Sequence, residues 1–524
     1  MISFFHMEVI AMGDLDKLRS EIDSIDRDIL NAFERRTAVA RQIGNVKRAE
    51  GMTVFDGARE DELFAKLKKA AGSESRPYVE DLYRELLRLS KIHQNKPAFG
   101  VLGRSLPHTY SPEIHNLLDP SYTYSVIERE PTELDELFEG KVFKGFNVTI
   151  PYKKEAAARC DVLDEAAKEC GSVNTVVFGS DGKTYGYNTD YYGFIYMVNR
   201  KGIGIAGKNV LVLGTGGAAA AVNYALKTLG AASVMSCGRT SEINYENVYD
   251  MASNAQIIVN TTPVGMYPDV NNRLIDLTGF PMLEACCDLI YNPSRTRFLQ
   301  DAEDLGLKIC GGLSMLVAQA YKASRLFTGD VEGAEKLGYE KNETIEQIIR
   351  SLKLKMRNIT FIGMPGCGKT TMAKRISAIT GRKLVDLDYA YRDKYGMTSA
   401  EAISGLGEDA FRDNECEVAS EILPESGLVI SCGGGIVTRP ENKFYVRCNS
   451  YVIYLERPLA TLSDHNRPVS IQHGVEKLFS QRKDKYESWC DYRLTLDTYP
   501  DKQSYIDGAP LEAMKLIEKI EKEA

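Results

Sequence analysis

The chain is poor in the residues that build metal and disulfide frameworks. It has six histidines, one tryptophan and, among eleven cysteines, no C-x-x-C pair. Structural zinc is therefore not expected as an organising device, and the thiols are expected to stay reduced, as in a cytoplasm. No run approaches the ~18 apolar residues of a membrane span. The amino-terminal MISFFHMEVIAMGDLDKL has no basic stretch ahead of its apolar residues, so no secretory signal is read there. No basic block is present and the net charge is −8, which argues against nucleic acid as a partner. Internal repeats and low-complexity tracts are absent as well. What remains is an ordinary globular composition, 44% apolar and 26% charged. Its 524 residues suffice for about three domains at ~150 residues each.

The pattern along the chain supplies the boundaries. From Leu15 to Val46 apolar residues recur at helical spacing without a proline, which predicts one long helix in need of a partner surface. A second helix follows VFDGARE and a third runs from about Tyr78 to Gln94, after which NKP at 95–97 breaks the pattern. Beyond Phe99, β-like runs (AFGVLG, KGFNVTI, VNTVVF) alternate with helical stretches, as in α/β layers. Three regions result: an all-α three-helix domain at 1–95, an α/β pair of domains at 96–355, and a third α/β domain at 356–524.

Two glycine-rich turns carry chemistry. FIGMPGCGKTTMAKRI (361–376) is G-x-x-x-x-G-K-[ST] with a strand before it and a helix after it. Gly363, Gly366 and Gly368 let backbone N–H groups curl around phosphate oxygens, and the helix N-terminus adds its positive dipole end. Lys369 is placed to reach the β/γ-phosphates and Thr370 to hold Mg²⁺, so a nucleoside triphosphate is expected here. NVLVLGTGGAAAAV places Gly214, Gly216, Gly217 and Ala218 between a strand and a helix, and a second strand, ASVMSCGRT, ends in Arg239 and Thr240. An arginine at that position suits the 2′-phosphate of NADP(H) rather than the free ribose of NAD.

Seven strings then lie in one order: HTYSPEIHN, NVTIPYKK, GSVNTV, YNTDYYG, NTTPVGM, DLIYNP and GGLSMLVAQA. Together they make 96–355 resemble shikimate dehydrogenase, with substrate binding at about 96–200 and 313–355 and NADP binding at about 201–312. The resemblance implies that Lys153 and Asp190 are the catalytic pair. A hydride moves between the nicotinamide and the substrate carbonyl carbon, Lys153 supplies a proton to the oxygen, and Asp190 orients it. It also implies that Thr109 and Ser111 hold the substrate carboxylate and that Thr149, Asn174, Tyr291 and Gln319 hold the ring. Thr109 stands where the family usually has serine, and Gly238 where it usually has asparagine. A rival reading, quinate with NAD, is opposed by Arg239.

The third region resembles shikimate kinase, a Mg²⁺- and ATP-dependent P-loop enzyme. LVDLDYAYRDKYGMTSAEAISGLGEDAFRDNE (384–415) extends the likeness beyond the phosphate loop. The resemblance implies that Asp386 acts on Mg²⁺ through water, that Asp388 accepts from the hydroxyl being phosphorylated, and that Arg412 and Arg482 pair with the substrate carboxylate. Gly433, Gly434 and Gly435 would approach the ring, and Arg467 would be the lid arginine in a segment that is short for a lid.

The helical region resembles the all-α chorismate mutase. Arg19, Arg36, Lys47, Asp56, Arg59, Glu60, Ser90 and Gln94 fall on that family's polar positions. At 100° per residue Arg36 and Lys47 lie about 20° apart around one helix, whereas Arg19 is roughly 100° away from them. The rearrangement of chorismate needs no nucleophile, metal or cofactor, only a clamp on two carboxylates and donors at the breaking ether oxygen. By the resemblance, Arg19 and Arg36 form the clamp, Lys47 and Gln94 face the oxygen, and Asp56, Arg59, Glu60 and Ser90 complete the pocket. The expectation is a trifunctional cytoplasmic enzyme of aromatic amino-acid biosynthesis acting on small molecules, without membrane or nucleic-acid partners, and homodimeric through 1–95. The alternative is a regulatory, dimerising helical module on a dehydrogenase–kinase.

Overall fold

The structure, a computed structural model, describes residues 12–49, 57–95, 97–107, 109–119, 121–459, 462, 474–496 and 502–523. Of the expected site residues, Asp56 and Arg467 lie outside the described residues, as do the side chains of Lys47, Arg59, Glu60 and Gln94. By compactness the chain falls into two units. One runs up to Val162 and includes Thr175–Gly186; the other comprises Leu163–Asn174 and everything from Tyr187 onward.

The first unit begins with α1 (Met12–Ala49), α2 (Gly57–Ala70) and α3 (Arg76–Asn95). At 1.5 Å per residue the 38-residue α1 is about 57 Å long, and α3 is its partner. Arg36 on α1 donates to Leu86 O on α3 at 3.0 Å and also to Ser90 Oγ. A stripe of Leu18, Ile22, Ile25 and Ile29, spaced four, three and four, stays about half exposed in the single chain.

A six-stranded sheet follows, in the order β2-β1-β3-β5-β6-β4. Its strands are β1 (Ala98–Gly103), β2 (Thr123–Glu128), β3 (Gly145–Val148), β4 (Val162–Leu163), β5 (Thr175–Phe178) and β6 (Thr184–Tyr187). β1 pairs in parallel with β2 and β3, and β3 pairs antiparallel with β5. On one face His115 is fully buried, its ring stacked on Tyr124 at 3.9 Å and its Nδ1 2.7 Å from the Tyr122 hydroxyl. Burial pushes its pKa down to about 3. The unfolded chain therefore binds a proton that the folded one refuses between pH 6.5 and 3, and the contribution is complete above pH 6.5 and lost on acidification. By pH 4 the loss should reach roughly 3 kcal/mol. Amide exchange in β1–β3 should accelerate from pH 6.5 to 4.5 beyond its intrinsic pH dependence, and His115→Gln should flatten that slope. An unchanged slope would refute the assignment.

The second unit holds two all-parallel five-stranded sheets. The first has β7 (Asn209–Leu213), β8 (Ser233–Cys237), β9 (Ile257–Asn260), β10 (Ala285–Asp288) and β11 (Lys308–Gly311), in the order β11-β10-β9-β7-β8. The second has β12 (Asn358–Ile362), β13 (Leu384–Asp386), β14 (Val429–Ser431), β15 (Ser450–Glu456) and β16 (Tyr492–Thr495), in the order β13-β14-β12-β15-β16. β9 and β12 are buried along their whole length, as the strands of a parallel sheet covered on both faces are. In each sheet the chain order reverses beside the strand that precedes a glycine-rich turn, β7 and β12, which is where open α/β sheets bind ligands.

The second unit also holds the helices Asp190–Arg200 and Leu313–Phe327. The helix Asp190–Arg200 buries Phe194, Ile195, Met197 and Val198 in one cluster with Val210 and Val212 of β7 and Met315. That shared core places it, and the helix Leu313–Phe327, with the nucleotide-type sheet. Among the described residues all eleven cysteines are free and no helix is long and apolar enough to cross a membrane.

Candidate active sites

The phosphate loop is built by backbone geometry that only glycine tolerates. Gly363 sits at φ 145°, and a Cβ there would lie 2.5 Å from Leu455 O. Gly366 and Gly368 take φ 84° and 103°, and Gly368 caps the helix Lys369–Thr380. The buried Lys369 ammonium donates to the carbonyls of Gly363 and Met364 at 2.9 and 3.0 Å, curled inside its own loop. Thr370 Oγ1 donates to Asp386 Oδ2 at 2.8 Å and lies 3.1 Å from Ser431 Oγ. A hydroxyl and a carboxylate brought together beside the loop form an oxygen donor set that suits Mg²⁺.

The other wall of this pocket comes from the Gly433–Gly435 turn. A Cβ on Gly433 would lie 2.8 Å from Glu415 Oε1 and 3.3 Å from Asp388 Oδ1; one on Gly435 would overlap the Arg412 guanidinium at 2.1 Å. A Cβ on Gly434 would strike Pro365 of the phosphate loop at 2.6 Å. Bare glycine is thus what lets loop, carboxylate and guanidinium converge. Asp388 is held by the Ser399 hydroxyl at 3.1 Å, and burial, then the neighbouring Asp386, raises its carboxyl above the ordinary value. Arg482 Nη1 donates to Gly434 O at 3.1 Å.

Glu415 was not singled out in the sequence. It pairs with Arg412 at 2.7 Å, both side chains almost fully buried, and Glu408 adds a second contact at 3.1 Å. Burial raises the Glu415 carboxyl against the opposing pull of Arg412. The i, i+3 spacing within AFRDNE was the available signal.

In the nucleotide-type sheet Gly214 takes φ 113°, and a Cβ would meet Thr261 Oγ1 at 2.6 Å, so the turns after β7 and β9 touch only because it is bare. Gly216 caps the helix Gly217–Thr228, in whose first turn Ala218 lies. Arg239 and Thr240 follow β8 and are exposed, and among the described residues Arg239 makes no ion pair or hydrogen bond. A bare turn, an uncovered helix N-terminus and a free guanidinium fit a phosphorylated dinucleotide.

The expected ring-binding and catalytic residues fall in both units. In the second, Asn174 Nδ2 donates to Asp190 Oδ1 at 2.8 Å and Thr189 Oγ1 at 3.0 Å, and Gln319 Oε1 accepts from Thr189 at 3.3 Å. Asp190 is buried at the first turn of its helix. Gly193 allows the approach of Gln319, since a Cβ would lie 2.6 Å from Met315 O. Tyr291 lies in the loop after β10 and is half-buried. In the first unit Thr149 N donates to Leu102 O at 2.9 Å, tying the ends of β3 and β1, and Lys153 follows, half-buried, at the start of the helix Lys153–Ala158. Thr109 Oγ1 accepts from Ser111 N at 3.3 Å just before the helix Ser111–Leu118. On α1 Arg36 meets Ser90, whereas Arg19, seventeen residues earlier, lies about 26 Å away along the helix axis.

A phosphate-transfer pocket and a dinucleotide crevice on one chain, preceded by a helical domain, describe a multidomain enzyme of the α/β class. Comparison with known proteins says which. The Shikimate dehydrogenase substrate binding domain matches residues 101–176, Chorismate mutase type II matches 18–95 and Shikimate kinase matches 365–506. The shikimate dehydrogenase (NADP(+)) of Clostridium perfringens is 37% identical over 250 residues, 44% of this chain and 92% of that relative. That of Methanococcus maripaludis is 35% identical over 262 residues, 45% and 94%. A solved chorismate mutase/shikimate 5-dehydrogenase fusion protein from Clostridium acetobutylicum aligns at 31% identity and TM-score 0.45 over 49% of this chain and 98% of that one. The chain belongs to the shikimate dehydrogenase family. With a chorismate mutase domain before it and a shikimate kinase domain after it, it is a multifunctional enzyme of the shikimate pathway.

Proposed function

We propose that the chain reduces 3-dehydroshikimate to shikimate with NADPH, phosphorylates shikimate to shikimate 3-phosphate with ATP, and rearranges chorismate to prephenate. The observation that carries the reading is the pocket in which a phosphate loop, Asp388 and the Arg412 guanidinium converge on Gly433–Gly435. Such a pocket suits an acceptor with a hydroxyl at one end and a carboxylate at the other. When bound, NADPH supplies the hydride and Mg²⁺–ATP the phosphoryl group. Thr370 and Asp386 would hold the metal, Lys369 would turn from its loop carbonyls to the phosphates, and Arg467 would steady the transferring charge. Asp388 orients the acceptor hydroxyl, and Arg412 with Arg482 takes the carboxylate. In the reductase Lys153 delivers the proton, Asp190 binds and orients, Thr109 and Ser111 take the carboxylate, and Thr149, Asn174, Tyr291 and Gln319 fix the ring.

Supplying each substrate to the purified chain tests this. We expect NADPH oxidation with 3-dehydroshikimate, ADP release with shikimate and prephenate from chorismate. A chain that released no ADP with shikimate would overturn the kinase reading. For the cofactor, the exposed guanidinium of Arg239 supports 2′-phosphate recognition. Arg239→Ala should raise the KM for NADP about 10–100-fold, the loss of one to two charge-assisted hydrogen bonds, and leave the KM for NAD nearly unchanged. An equal effect on both cofactors would sink the assignment.

The half-exposed stripe on α1 supports homodimerisation through the helical domain. Its spacing is that of a helix seam, and an ~80-residue helical segment alone buries too little apolar surface for comfortable stability.

A further inference from the structure

The loop between β10 and the helix Arg297–Asp304 carries Tyr291. Its two ends are fastened from within the dehydrogenase. The fully buried Asp288 accepts from Ile290 N at 3.0 Å and Thr296 Oγ1 at 2.6 Å, and Tyr267 N donates to Asn292 O at 3.1 Å. The middle of the loop is fastened by the kinase. Arg295 N donates to Cys448 O at 2.8 Å, Ser294 N to Asn449 Oδ1 at 3.2 Å, and Ser294 Oγ to Cys448 O at 3.2 Å. Ser294 Oγ also accepts from Arg357 Nε at 2.9 Å, at the threshold of β12. The Arg295 guanidinium reaches Asp491 Oδ1 at 2.5 Å, with both side chains largely buried. Asp491 is itself fixed, its other oxygen accepting from Val452 N of β15 at 2.9 Å. Asn449 in turn donates to Glu425 O and Ser426 Oγ, both at 3.0 Å.

This is a built contact. Two backbone N–H groups and a hydroxyl of one short loop bond to the kinase, and the Arg295 guanidinium pairs there through Nη2, a buried guanidinium without its carboxylate being costly. Around it the contact is looser. Lys443 meets Asp304 at 2.8 Å and Arg447 meets Glu303 at 2.9 Å, with the acidic partners exposed. An apolar patch of Val270, Phe444 and Cys448 closes another side.

We propose that the kinase domain is part of the support of the dehydrogenase site, with Arg295 a positioning residue that holds the loop of Tyr291. This rests on the reductase reading, in which Tyr291 contacts the substrate ring. Loosening the middle of the loop leaves the chemical groups in place but widens the range of Tyr291 positions. The loss therefore falls on substrate binding rather than on turnover.

The test is steady-state kinetics of the full chain. Arg295→Ala and Ser294→Ala should each raise the dehydrogenase KM for 3-dehydroshikimate about five- to tenfold, with its kcat and the kinase kcat/KM within about twofold. Arg295→Lys, which keeps the charge, should recover most of the KM. Lys443→Ala, which cuts an exposed pair of the same contact, should leave KM unchanged. Ser294→Ala alters volume least and carries the test should Arg295→Ala not fold. An active parent whose KM is unmoved by folded loop variants, or moved as much by Lys443→Ala, overturns the inference alone. A parent that reduces no 3-dehydroshikimate overturns the reductase reading and the inference with it.

Discussion

Lys153→Ala should lower dehydrogenase turnover by about 10²–10⁴-fold, the range for loss of a positioned proton donor, and leave ATP-dependent phosphorylation of shikimate intact. The hydride that reaches the substrate carbonyl leaves charge on its oxygen, and the proton that quenches it must come from a group already in place. Lys153 begins the helix that follows β3 after a four-residue turn, whose start is fixed by the tie between Thr149 N and Leu102 O. The kinase pocket is built of Gly363–Thr370, Asp386, Asp388, Arg412 and Gly433–Gly435, all in a separate region of the chain. The two activities should therefore separate cleanly. ADP release measured beside NADPH oxidation decides it. Loss of both together would mean that the substitution acts through folding, and loss of neither would remove Lys153 from the chemistry.

Much of this arrangement was readable in the residues, and the reason differs by region. The phosphate loop is local. Its glycines, lysine and threonine lie within eight residues, and the φ values at Gly363, Gly366 and Gly368 are what that spacing demands. The β–turn–helix at Gly214 and the three helices of 14–95 are likewise short-range patterns, and both stand in the structure. What periodicity does not carry is pairing across long separations. Arg295 and Asp491 are 196 residues apart, and nothing in NPSRT tells that its amides are satisfied by Cys448 and Asn449. Glu415 lay in plain view, three residues after Arg412, yet an acidic residue on a charged helix reads as solvated until its burial is known. His115 is the converse case. It lies inside a string that names the family, and only the stacked Tyr124 ring shows that it is a neutral core residue. That the helix Asp190–Arg200 shares a core with β7 is not legible in the residues for the same reason, because its apolar face fits either layer.

The mutase should depend on two chains. Arg36 and Ser90, both assigned to the proposed mutase pocket, meet between α1 and α3. Arg19 lies on the same continuous helix about 26 Å away and on a different face, while an extended arginine side chain reaches only about 7 Å, so it cannot serve the pocket of its own Arg36. It does sit beside the half-exposed Leu18 and Ile22 at the start of the apolar stripe. A second chain laid antiparallel along that stripe brings each Arg19 toward the other's Arg36, and its burial also stabilises helices that are marginal alone. Lys47, eleven residues beyond Arg36 on the same helix, belongs to the pocket of its own chain in this reading. Arg19→Ala and Lys47→Ala should each lose mutase activity by about 10²-fold or more as homodimers, since each removes a charge that clamps a carboxylate or meets the breaking ether oxygen. Refolded together in equal amounts, half of the dimers are mixed, and one of the two pockets in each mixed dimer keeps both native residues. The mixture should recover about a quarter of the parental rate of prephenate formation. Mixed dimers that form, as read by mass spectrometry, and remain inactive would refute the shared pocket.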